Sequence, residues 1–65
     1  MPLFDIFKSE KDGGVVWVAS AQTLEIARLK VKSLMASSPG SYIIVNQETG
    51  QKLRVNPDGS TERTP

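Results

Sequence analysis

The stretch Ser41–Val55, SYIIVNQETGQKLRV, decides the fold. Two strand-like arms flank a turn signal. Asn46 can close an Asx-turn on the following amides, and Gly50 suits the left-handed position that ends such loops. The second arm alternates Lys52, Leu53, Arg54 and Val55, whereas Tyr42, Ile43, Ile44 and Val45 in the first arm are all apolar. A four-residue loop, 47–50, pairs Asn46 with Gln51 and Ile44 with Leu53. Tyr42, Ile44, Leu53 and Val55 then share one face, and Ile43, Val45, Lys52 and Arg54 share the other. A three-residue loop would turn the first arm over and join Ile43 and Val45 to Leu53 and Val55. The even loop is expected, because Asn46 then stands immediately before the turn. In either register two large apolar residues lie beside Lys52 and Arg54.

Working outward, residues 3–8, LFDIFK, read as an aromatic-rich strand and residues 15–20, VVWVAS, as a β-branched one. The polar SEKDGG between them closes in Gly13 and Gly14, as a hairpin loop does. From Gln22 to Ser37 there is no Gly or Pro, and Leu24, Ala27, Val31, Leu34 and Met35 recur at helical spacing. Ser20 is the expected N-cap, with Ala19 and Leu24 as a hydrophobic staple. Thr23 is the competitor, with Glu25 in the first turn. Pro39 and Gly40 stop the helix. Residues 56–65 contain no apolar side chain and are expected to form a disordered tail. The expectation is therefore a single α+β domain over 1–55. It has ββαββ order, a four-stranded, mainly antiparallel sheet and one helix packed on one face.

That architecture leaves a face uncovered. Leu3, Asp5 and Phe7 alternate with Phe4 and Ile6, while Val15, Trp17 and Ala19 alternate with Val16 and Val18. A half-solvated antiparallel sheet reads apolar-in and polar-out, but three of these four strands carry apolar residues on both sides. One helix of this length, about 24 Å, lids one face only. The helix has a second stripe of its own, with Ile26 and Leu29 roughly opposite the core positions. Leu3, Phe7, Trp17, Ile43, Val45, Ile26 and Leu29 are thus the candidate interface residues. The expected partner is a second copy of the chain, a homodimer, or else another protein.

Catalytic chemistry has little to stand on. The 65 residues contain no cysteine and no histidine, so thiol chemistry, disulfides and the commonest metal ligand are absent. The seven acids, Asp5, Glu10, Asp12, Glu25, Glu48, Asp58 and Glu62, fall mostly in loops, turns and the tail. No phosphate-cradling loop, calcium loop or dinucleotide fingerprint occurs. No enzyme activity, cofactor or metal is expected. The longest apolar run, Val15–Ala19, is far too short for a membrane span, and no secretory core precedes it. A cytoplasmic protein is the expectation.

The alternative to a protein partner is single-stranded nucleic acid. Lys8, Lys52 and Arg54 beside Phe7 and Trp17 could hold phosphates while the rings stack bases. The formal charge of only +1 and the total of four aromatic residues weigh against it. The patterns W-V-x4-T-L-E-x-A at 17–27 and P-G-x-Y-x-I-x4-T-G at 39–50 resemble a loose group of very short bacterial proteins of unknown function. The resemblance implies the same small fold over about residues 3–55 and brings no activity with it.

Overall fold

The computed structural model describes residues 3–64. The deciding hairpin takes the even register. β3 (Tyr42–Asn46) pairs antiparallel with β4 (Lys52–Val55), with Ile44 opposite Leu53 and Tyr42 opposite Val55. In its loop Asn46 Oδ1 accepts the amides of Glu48 and Thr49 at 2.9 and 3.3 Å. Gly50 takes a φ of 76°, and its N–H reaches the Asn46 carbonyl at 2.8 Å. The second hairpin is β1 (Phe4–Ser9) with β2 (Val15–Ala21), and β1 also pairs antiparallel with β3. The two hairpins therefore meet through β1.

The expected four-stranded sheet is corrected to five strands. β5 (Thr61–Thr64), from the segment set apart as a tail, pairs antiparallel with β4, giving the order β2-β1-β3-β4-β5. No apolar side chain draws it there, and Thr61, Glu62 and Arg63 are all exposed. Backbone hydrogen bonding and the turn at Asn56–Ser60 carry it instead. Gly59 adopts a φ of 91°, its N–H reaches the Asn56 carbonyl at 2.9 Å, and the Asn56 N–H reaches the Ser60 carbonyl at 2.8 Å. Both the hydroxyl and the amide of Ser60 donate to the Asp58 carboxylate, at 2.7 and 2.9 Å. These two donors, the hydroxyl foremost, hold the Asp58 carboxyl below its ordinary value of 3.8. Because the folded value is the depressed one, the turn gains this support above the ordinary carboxylate range and loses it as pH falls through the lowered value. Following the Ser60 amide shift against pH should give a midpoint below that of an aspartate in an unstructured peptide. Ser60→Ala should raise that midpoint. An unchanged midpoint in the variant would show that the hydroxyl has no such role.

α1 (Leu24–Ser37) begins at Thr23, whose Oγ1 accepts the Ile26 N–H at 3.1 Å, and Glu25 sits in the first turn. Ser20 as the N-cap is overturned, because that residue is still inside β2, opposite Asp5 of β1. Thr23→Ala should therefore cost about 1 kcal/mol, lowering Tm by roughly 4–8 °C in a domain this small. Ser20→Ala should leave Tm nearly unchanged, and calorimetry of the pair distinguishes the two positions.

The inner face of the sheet and the helix enclose the core of Ile6, Ala21, Ala27, Val31, Tyr42, Ile44 and Leu53. Phe4, Leu24, Leu34, Met35 and Val55 pack around it. At the helix C-terminus the buried Tyr42 hydroxyl donates to the Ser38 carbonyl at 2.6 Å, tying β3 to the end of α1. This bond satisfies a carbonyl that the helix itself leaves without a partner.

Candidate functional site: the open sheet face

The face of the sheet opposite α1 is assembled by register. One row across the strands runs Trp17, Phe7, Ile43, Arg54 and Glu62; the next runs Ser20, Asp5, Val45, Lys52 and Thr64. Leu3, one residue before the inward Phe4, continues the same face. Its amide reaches the Ala21 carbonyl at 3.1 Å, and its carbonyl accepts the Gln47 amide at 2.8 Å. No helix or strand among the described residues lies over these rows. Leu3 and Trp17 are 36% and 55% exposed. Phe7, Ile43 and Val45 are half-buried.

A bulge puts Trp17 there. The β1–β2 register shifts between Ile6 and Phe7, so that Ile6 faces Ala19 while Phe7 faces Trp17, leaving Val18 as the extra residue. Strict alternation would place Trp17, Ala19 and Ala21 on one side. With the bulge, Ala21 is buried, Ala19 and Val18 pack against the core, and Trp17 turns outward. Its indole N–H then donates to Asp5 Oδ1 at 3.2 Å, while Gln47 Nε2 donates to Asp5 Oδ2 at 2.8 Å. Both oxygens of Asp5 are engaged, which orients the ring across the sheet instead of leaving it to swing. Sequence reasoning missed Asp5 as a site residue; its alternation with Phe4 and Ile6 was the available signal.

The remaining candidates separate. Ile26 and Leu29 are 42% and 64% exposed on α1, which packs on the other side of the sheet, so they do not join Leu3, Phe7, Trp17, Ile43 and Val45. Lys8 is likewise removed from Lys52 and Arg54. It lies opposite Tyr42 on the inner face, and its ammonium donates to Ser38 Oγ near the helix end. The grouping of Lys8 with Lys52 and Arg54 as one set of nucleic-acid contacts is therefore corrected. What stays on the outer face is electrically balanced: Lys52 and Arg54 against Asp5 and Glu62, with Arg54 directly opposite Glu62.

No family model, curated protein or solved structure matches this chain. Among the described residues, no helix is long and apolar enough to cross a membrane.

Proposed function

We propose that the chain is a non-enzymatic interaction module that forms a homodimer through the outer sheet face. The supporting observation is the layer of Leu3, Phe7, Trp17, Ile43 and Val45, left unlidded among the described residues, on a five-stranded sheet with α1 on its other side. A neighbouring copy brings the same apolar rows and the same two positive and two negative residues. A two-fold pairing can therefore match Lys52 and Arg54 with Asp5 and Glu62. The charge balance also favours this partner over single-stranded nucleic acid, whose phosphates would meet Asp5 and Glu62 as well as the two cations.

The molecule measures 28 × 21 × 20 Å, so one broad side offers at most about 600 Å² to its partner. Two such sides come to about 1,200 Å², the lower end of stable interfaces, where weak, micromolar dimers are common. Sedimentation equilibrium should return a mass rising from one chain to two across the micromolar range. Trp17 emission should shift to shorter wavelength over the same concentrations as the ring loses water. A single-chain mass at high micromolar concentration defeats the proposal. Single-stranded DNA shifting the Lys52 and Arg54 amides at low salt would favour the nucleic-acid reading instead.

A further inference from the structure

The helix leaves part of the inner face bare as well. α1 packs on β1 and β2, and toward β4 and β5 the sheet carries a cleft of about 350 Å³. Phe4, Ile44 and Leu53 form its floor, and Leu24 at the start of α1 forms a wall. Arg63, Lys52, Asn46 and Gln51 stand around it, and among the described residues no carboxylate lines it. Strand register explains this composition. Arg63 lies opposite Leu53 and so projects to the helix side, whereas Glu62 lies opposite Arg54 and projects to the outer face. β5 thus sends its cation to one side of the sheet and its anion to the other.

We infer that this cleft binds a small amphipathic carboxylate. Its apolar tail would lie on Phe4, Leu24, Ile44 and Leu53, and its carboxylate would pair with the Arg63 guanidinium. The volume is at the small end of ligand pockets, which suits a short tail and not a nucleotide or a large cofactor. The planar guanidinium fork matches a carboxylate at two points. Asn46 Oδ1 is already committed to the loop amides, which leaves the donor end of that side chain and the Gln51 amide for any further contact. Among the described residues a metal cation would find no anionic ligand here, and an aromatic base would have Phe4 alone to stack on.

The site lies across the sheet from the proposed dimer face and shares only Lys52 with it among the described residues, so Arg63→Gln tests the cleft without touching the dimer face. The test is a methyl-resolved NMR titration with octanoate, with octan-1-ol as its uncharged counterpart, on the wild type and on Arg63→Gln. Octanoate at millimolar concentration should produce saturable shifts at the Leu24, Ile44 and Leu53 methyls. Octanol and the Arg63→Gln variant should each bind about fivefold more weakly, the factor for an ion pair in a half-open site. Arg63 is exposed, so the variant keeps the wild-type fold, and its methyl spectrum in the absence of ligand reports this directly. Absence of saturable shifts at those methyls overturns the assignment. Equal binding of octanol and octanoate, or undiminished binding by Arg63→Gln, does so too.

Discussion

Replacing Ile44 by alanine should leave little of the chain folded at room temperature. Ile44 is 1% exposed and sits between Ile6 and Leu53 in the central row of the inner face, in one core cluster with Ala27 and Val31 of the helix. Truncating a buried isoleucine costs about 2–5 kcal/mol, part of it for the cavity left behind. A single core in a chain of this size supplies only about 3–5 kcal/mol of net stability. The loss is therefore comparable to the whole margin, and far-UV circular dichroism should show a large unfolded fraction or a very low Tm. Val45→Ala makes the contrast. It is the next residue along β3 but faces outward and is half-buried, so its truncation should cost well under half as much in the monomer. Equal effects of the two substitutions would mean that the sheet has no distinct inner and outer face.

Ile43→Lys should abolish self-association while leaving the protomer folded. Ile43 lies between Phe7 and Arg54 in the central strand of the outer face, where a pairing of two sheets excludes water most completely. Central, desolvated positions carry most of the energy of an interface. By the two-fold relation each substitution appears twice, bringing two unpaired ammonium groups to the same region. A penalty of about 3 kcal/mol corresponds to roughly 100-fold weaker association, enough to move a micromolar dimer out of reach. Sedimentation equilibrium on the variant should return a single-chain mass at every concentration at which the wild type is paired. An unchanged dimer would place the interface elsewhere, with Ile26 and Leu29 on the helix the next residues to substitute.

The hairpin register was legible in sequence because two independent constraints agree at Asn46–Gly50: local turn chemistry and the alternation of β4. The helix stripe was legible for the same reason, since Ala27 and Val31 repeat at helical spacing and are buried. The helix start was not. Both Ser20 and Thr23 have a hydroxyl suited to capping, and the choice depends on Ser20 pairing with Asp5, a partner fifteen residues away in sequence. β5 escaped because a search for apolar periodicity finds none in Thr61–Thr64. Yet the loop before it holds the same Asp-Gly signal as the first hairpin, with Gly13 and Gly59 at φ 92° and 91° and equivalent backbone bonds closing both turns. Weighing turn chemistry above composition would have found it. Lys8 was grouped with Phe7 by nearness along the chain, although its alternation with Ile6 already assigns it to the inner side. The cleft beside Arg63 had no sequence signature, since it depends on where one helix comes to rest over a wider sheet.

β5 has a consequence for motion. Thr61, Glu62 and Arg63 are exposed and stand outside the buried core, so the strand is held by its ladder to β4 and by the Asn56–Ser60 turn. Peeling this strand away takes no residue out of the buried core, so its opening free energy lies well below that of the whole domain. The guanidinium of Arg63 thus rides on a loosely fastened flap, and an anion held between that flap and the rigid layer would act as a clasp.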